Sequence, residues 1–241
     1  MSENAETVRV GVAGATGRLG ATIVKVIEAT EGYAAEEIDA HGDVDLDGID
    51  LVFDATVFAA SQRVVRSALD AGIPVVVATS GWSAERIEQL RAEGARGIRI
   101  VPNFSIGSII GSHLATIAAR HFDYAEIIET HHEGKRDAPS GTAIRTAESI
   151  AEVRRQYVPT PDEPGRGAVI DSVPVHAVRM PGVVARQEVV FGGQGETLTV
   201  THTTSSSDSY AAGIRLALAA EAPAGVAVGL DDLLGLNAAS A

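Results

Sequence analysis

Cysteine is absent from all 241 residues, which excludes disulfide frameworks, thiol nucleophiles and Cys-ligated metals. Aromatics are scarce, with one Trp, four Tyr and five Phe, so the cores must be assembled from Ala, Val, Ile and Leu. No run of about 18 apolar residues occurs, and no transmembrane helix is expected. The opening Met-Ser-Glu-Asn-Ala-Glu-Thr lacks the basic-then-apolar order of a secretory signal, which makes a cytoplasmic location the expectation. Basic residues are also in deficit: 19 Lys and Arg against 32 Asp and Glu leave a net charge of −13. Such a surface repels phosphate backbones, so no nucleic-acid partner is expected. An anionic small molecule must then be held by a local set of donors.

What is present alternates between strand and helix signals. Val8, Val10 and Val12 alternate; Gly14, Gly17 and Gly20 follow, and Ile23, Val24 and Ile27 then share a helical face. "AAEEID" reads as a second strand ending at Asp39. "IDLVFDAT", "IPVVVATSG" and "IRIVPNFS" read as further strands, with apolar runs suited to burial on both faces of a parallel sheet. Between them, "ASQRVVRSALDAG" and "SAERIEQLRAEG" read as helices closed by Gly72 and Gly94. This order predicts an α/β fold with a Rossmann-like, doubly wound parallel sheet over residues 1–106. After Gly107 the pattern changes to helix, strand, helix and then three strand-like stretches. That predicts an inserted α+β domain with a mixed sheet over 107–209. Residues 157–173 read as a mobile loop. A last helix, "SYAAGIRLALAAEA", is expected to return to the first domain (residues 210–241).

The glycine turn carries the first chemical signal. Glycines at 14, 17 and 20 permit a tight turn and close approach to a pyrophosphate, which the following helix N-terminus holds through its amides. The spacing is G-x-x-G-x-x-G, and by itself it is equally compatible with a structural turn. Its place in the first βα unit favours a dinucleotide, as does Asp39, 19 residues past Gly20 at the end of the second strand. An acid there bonds adenine-ribose hydroxyls. Ala40 rather than arginine follows it, which leans toward NADH, although Arg18 leaves NADPH open.

"ETHHEGKRDAPSGTA", residues 129–143, carries the second. Within a strand His131 and His132 point to opposite faces; both serve one site only if the strand ends there and the chain bends. The plainer reading is a solvated strand end. A metal is not expected, because H-E-x-x-H would need histidine where Arg136 stands. Beyond them Asp137, Pro139, Ser140, Gly141 and Thr142 open a helix, where amides and hydroxyls converge on an anion. Histidine and Lys135 supply two candidate acids for the proton that accompanies hydride transfer.

This stretch resembles E-x-H-H-x-x-K-x-D-A-P-S-G-T-A of the 4-hydroxy-tetrahydrodipicolinate (dihydrodipicolinate) reductase family of lysine and diaminopimelate biosynthesis. "GVAGATGRLG", "VPNFSIG" and "VPVHAVRMPGVVARQEVVFGGQGETLTVTH" are similar to further family segments, so the resemblance spans nearly the whole chain. It implies NADH- or NADPH-dependent reduction of a cyclic dicarboxylate to tetrahydrodipicolinate. It implies His131 as proton donor/acceptor and Lys135 as proton donor, with His132, Ser140, Gly141 and Thr142 on the substrate. The implied cofactor contacts are Gly14, Ala15, Thr16, Gly17, Arg18, Leu19, Asp39, Ala78, Thr79, Ser80, Val101, Pro102, Asn103 and Phe104. A homotetramer joined through the second domains is also implied.

Three positions depart from the family pattern: Ala55 stands for phenylalanine, Ala78 for glycine, and Glu133 for a basic or neutral residue. They bear on affinity and cofactor preference, since no proton-transfer group is lost. Two rivals share the plan, a non-catalytic nicotinamide sensor and a reductase of a different imine. A sensor needs no paired acids, and another imine would disturb the Ser140-Gly141-Thr142 site.

Overall fold

The computed structural model describes residues 7–154 and 164–236. The chain divides into two compact units: one holds residues through Ser105 and from Tyr210 onward, the other Ile106–Ser209.

In the first unit the strands are β1 (Val8–Ala13), β2 (Tyr33–Ile38), β3 (Leu51–Asp54), β4 (Val75–Val77), β5 (Ile98–Ile100) and β11 (Val226–Val228). All pairings are parallel, in the order β2-β1-β3-β4-β5-β11. The helices α1 (Arg18–Glu28), α2 (Phe58–Ala71), α3 (Ala84–Ala92) and α6 (Ala211–Leu218) belong to the same unit. β4 and β5 are buried along their whole length, as expected of runs such as Val75-Val76-Val77 covered on both faces. Each such side chain contributes about 1.5–3 kcal/mol on burial. Gly72 closes α2 in the left-handed region at φ 70°, and the Ser83 hydroxyl caps α3 by accepting from Arg86 N. The sheet order reverses between β1 and β3. In open α/β sheets ligands bind at such a switch point, outside the carboxyl ends of the strands.

The closing segment differs from expectation. The last helix packs on α1, but the chain then runs on into β11, which adds a sixth strand beside β5. Three residues, Val226-Ala227-Val228, are too short a run to show a period.

The second unit is a mixed sheet. Its order is β10 (Glu196–Thr204), β9 (Ala185–Gly193), β6 (Tyr124–His131), β8 (Val173–Arg179) and β7 (Ala168–Ile170). β6 runs parallel to β8; the other neighbours are antiparallel. Helices α4 (Ile106–Ala119) and α5 (Gly141–Val153) supply Ala115, Ala119, Ala143, Ala147 and Ile150 to a core with Ile127, Val175, Val189 and Phe191. Alanine on the helices lets them lie close to the branched residues of the sheet.

The expectation of a mobile loop over 157–173 needs correction in part. Residues 157–163 lie outside the described residues. Residues Pro164–Arg166 form a single 3-10 turn, and Ala168–Ile170 form the edge strand β7. Asp171 and Ser172, both at positive φ, turn the chain directly into β8. The turn was hidden because this pair lacks the glycine that usually marks such a hairpin.

Candidate active site

Strand alternation places Ala125, Ile127, Glu129 and His131 of β6 on one face, and the first three are buried. A glutamate thus occupies a core position. It is fully buried, which is tolerable only with charge-matched donors around it. Arg179 on neighbouring β8 provides a two-pronged pair, Nη1 donating to Oε2 at 2.8 Å and Nη2 to Oε1 at 2.8 Å. The Ser140 amide donates to Oε1 at 2.9 Å, and His131 Nδ1 lies 2.5 Å from Oε2. Burial alone raises the Glu129 carboxyl. The bonds from Arg179, His131 and Ser140 outweigh that effect and hold it below the usual carboxylate range.

The segment after β6 hangs on the same arginine. Arg179 Nε donates to the Lys135 carbonyl at 3.3 Å and Nη2 to the Asp137 carbonyl at 2.6 Å. β6 ends at His131, and the chain bends at His132, whose carbonyl accepts from Lys135 N at 3.1 Å. The condition for both histidines to serve one site is therefore met. The Lys135 ammonium lies 2.8 Å from Asp137 Oδ1 and is 22% exposed; this contact keeps the Asp137 carboxyl low. Burial lowers the His131 ring, Glu129 opposes that, and the nearby positive charges of Lys135 and Arg179 add to the lowering. The buried Ser140 caps α5, its hydroxyl accepting from Ala143 N at 3.2 Å. Gly141 and Thr142 are the first two residues of α5. A half-exposed imidazole, an ammonium and a helix start therefore surround one buried ion pair. That arrangement sets two groups able to carry a proton near the first amides of a helix.

Glu129 and Arg179 carry no local sequence signal for a role in the site. The clue is indirect: an acid on the apolar face of a strand demands a buried cation. Which cation answers it is a long-range fact, because the two stand 50 residues apart.

In the first unit the glycine turn joins β1 to α1. Gly14 has φ 81°, and a Cβ there would lie 2.6 Å from the Ala55 carbonyl oxygen. A Cβ at Gly20 would lie 2.0 Å from the Gly14 oxygen. Both positions therefore require glycine for the turn to close. Gly17 caps α1 without any side-chain bond to its first amides, and Thr16, Gly17 and Arg18 are exposed, with Ala15 and Leu19 half-buried. Asp39 follows β2 directly and is exposed, its Oδ1 accepting from His41 N at 2.8 Å.

Loops after β3, β4 and β5 border the same sheet edge. Thr79 is buried; its hydroxyl accepts from Thr56 N at 2.9 Å, and Thr56 in turn donates to Asp54 Oδ1 at 2.6 Å. Asp54 is fully buried, and among the described residues nothing reaches its Oδ2. Ala78 is half-buried and Ser80 exposed. Val101 and Phe104 are core residues, Phe104 stacking on Phe53 with ring centres 6.5 Å apart; only their backbone can meet a ligand. Pro102 is exposed, and Asn103 Oδ1 accepts from Ser105 N at 2.9 Å. Uncapped helix amides behind a turn closed by obligatory glycines, at the sheet's switch point, fit the pyrophosphate of a dinucleotide.

The family models described as dihydrodipicolinate reductase, N-terminus, and dihydrodipicolinate reductase, C-terminus, match residues 37–104 and 107–234. The chain belongs to the dihydrodipicolinate reductase family. It is 46% identical to the 4-hydroxy-tetrahydrodipicolinate reductase of Clavibacter sepedonicus, over 96% of this chain and 87% of that one. The protein of the same name from Mycolicibacterium smegmatis is 42% identical, over 95% of this chain and all of the relative. Among solved structures, dipicolinate-bound dihydrodipicolinate reductase from Paenisporosarcina sp. TG-14 superposes with a TM-score of 0.77 at 28% identity. That alignment covers 94% of this chain and 99% of the other. Family membership thus covers both units, although the matched N-terminal segment begins after the glycine turn.

Proposed function

We propose that this chain reduces 4-hydroxy-tetrahydrodipicolinate to tetrahydrodipicolinate in lysine and diaminopimelate biosynthesis, using a reduced pyridine nucleotide. The observation that carries the reading is the joining of His131, Lys135 and the Ser140 helix cap around one buried Glu129–Arg179 pair. Near-full-length relatives that bear the reductase name support it.

A bound nicotinamide supplies the hydride. The reaction adds that hydride and one proton to the substrate and releases water. Gly14 to Leu19 and Asp39 would hold the cofactor's pyrophosphate and ribose, with Ala78 to Ser80 and Val101 to Phe104 along the same edge. Exposed Asp39, without a neighbouring arginine in sequence, favours NADH. In the second unit, the first amides of α5 at Gly141 and Thr142 would bind a substrate carboxylate, and His132 would contact the substrate; Ser140, expected beside them, is instead buried with its amide on Glu129 and shapes the helix start from below. Lys135 would deliver the proton, and Asp137, 2.8 Å from the ammonium, would hold it in place. His131 would exchange a proton on the same side. A cytoplasmic homotetramer, with residues 107–209 forming the substrate-binding and assembly domain and 1–106 plus 210–241 the dinucleotide-binding domain, completes the proposal.

The test is loss of the reduced-nicotinamide absorbance band. The substrate is made in place by the preceding synthase from pyruvate and aspartate semialdehyde, and NADH and NADPH are supplied separately. Turnover is expected, and Lys135→Ala is expected to cut kcat by about 100-fold or more. Cofactor binding without turnover would transfer the reading to the nicotinamide sensor or to a reductase of a different imine. An unchanged rate in Lys135→Ala would remove Lys135 as the proton donor.

A further inference from the structure

Glu129 is a fully buried side chain that touches several parts of the site at once. Its two carboxylate oxygens meet four N–H groups or ring nitrogens: Arg179 twice, Ser140 N, and His131 Nδ1. The guanidinium and the amide are obligatory donors, and they hold the carboxylate ionised. An ionised carboxylate has no proton to offer. The short contact at His131 Nδ1 is therefore a hydrogen bond only if the ring nitrogen carries the proton. That leaves Nε2 as the atom of the ring free to gain or lose one.

The backbone explains why this contact is built in. Glu129 and His131 are two apart on β6, so both side chains leave the same face. Arg179 stands opposite His131 in the β6–β8 register, which brings its fork over the Glu129 oxygens. Its remaining donors reach the carbonyls of Lys135 and Asp137. The far oxygen of Glu129 holds the amide of Ser140 at the start of α5. One ion pair thus ties down both ends of the Lys135–Ser140 segment and the ring of His131.

We propose that Glu129, clamped by Arg179, is a positioning residue of the reductase. It fixes His131 in the Nδ1–H tautomer, so that proton exchange with the substrate runs through Nε2. The catalytic half of this inference rests on the reductase reading above; the tautomer half does not. A merely structural ion pair would stabilise the fold without caring which ring nitrogen is protonated.

Glu129→Gln separates the two. Its amide has one acceptor and one donor end. The Oε1 position faces two obligatory donors, Arg179 Nη2 and Ser140 N, so the carbonyl must settle there. The NH2 then loses the bond from Arg179 Nη1, which the guanidinium's second bond to the carbonyl offsets, and faces His131 Nδ1, which becomes an acceptor as the ring proton moves to Nε2. The Ser140 bond survives, so substrate binding is preserved.

The experiment is a long-range proton–nitrogen spectrum of the full-length protein labelled at histidine, with His131 assigned by its loss in His131→Gln. It is paired with steady-state kinetics. The expected result is Nδ1–H in the wild type, Nε2–H in Glu129→Gln, a kcat lowered about 100-fold or more, and a nearly unchanged KM for the dicarboxylate. Nε2–H in the wild type overturns the proposal, as does an unchanged kcat once the tautomer has moved. If Glu129→Gln fails to fold, as circular dichroism and NADH affinity would reveal, the wild-type spectrum alone decides. A wild type without turnover refutes the reductase reading and the catalytic half with it, while the spectrum still decides the tautomer.

Discussion

Replacing Gly20 by alanine tests whether the glycine turn is a built cradle or an ordinary bend. The added Cβ would stand 2.0 Å from the Gly14 oxygen, 2.7 Å from its carbonyl carbon and 3.0 Å from Ala15 Cα. All three are backbone atoms, so no side chain can swing aside. Ordinary contact needs about 3.5 Å, so the turn must open by more than an ångström. Overpacking of this kind costs about 1–3 kcal/mol. Alanine's better helix propensity returns about 1 kcal/mol, leaving a net loss of up to about 2 kcal/mol. For a chain of this size that lowers Tm by up to about 8 °C. The larger effect falls on the ligand. Opening the turn moves the first amides of α1 away from where a pyrophosphate would sit, and the Kd for NADH should rise at least about tenfold (about 1.4 kcal/mol). Thermal melting and fluorescence titration with NADH read the two effects. Unchanged Tm and unchanged NADH affinity in Gly20→Ala would refute the account of the turn.

Two further perturbations bear on the buried pair. Arg179→Met strands the Glu129 charge and should cost about 3–5 kcal/mol in thermal or urea unfolding, whereas Glu129→Leu with Arg179→Met should recover much of it. Equal losses in the single and double variants would contradict the pairing. Acidification should destabilise the protein in two stages. The His131 ring is held below its ordinary value near 6.5. The unfolded chain therefore takes up that proton first, and stability falls as pH drops from there toward the folded value. Glu129 is held below its ordinary 4.5, so its contribution is complete above that value and is lost as pH falls from there through the folded one. The urea midpoint against pH should show both stages. His131→Asn should make the first shallower, with His202, also lowered by burial, supplying the remainder. An unaltered slope just below pH 6.5 would rule out His131 as a contributor.

Much of the molecule was legible from local pattern alone. The alternating Val8, Val10 and Val12, the glycines at 14, 17 and 20, and Asp39 after the second strand lie within one βα unit, so their geometry follows from short-range rules. The Ser83 and Ser140 caps and the Gly72 stop were readable for the same reason: a cap is satisfied within three or four residues of itself. Composition excluded thiol chemistry outright. The short strands β7 and β11 were not legible, because three residues carry no period and their place is set by partners far along the chain. Nor was the centre of the site. Glu129 and Arg179 are 50 residues apart and meet only because β6 and β8 lie parallel in one sheet. Sequence determined which residues could carry protons and which turn could hold a phosphate. Tertiary structure decided which nitrogen of His131 bears the proton, since that depends on a buried charge whose partner comes from another strand.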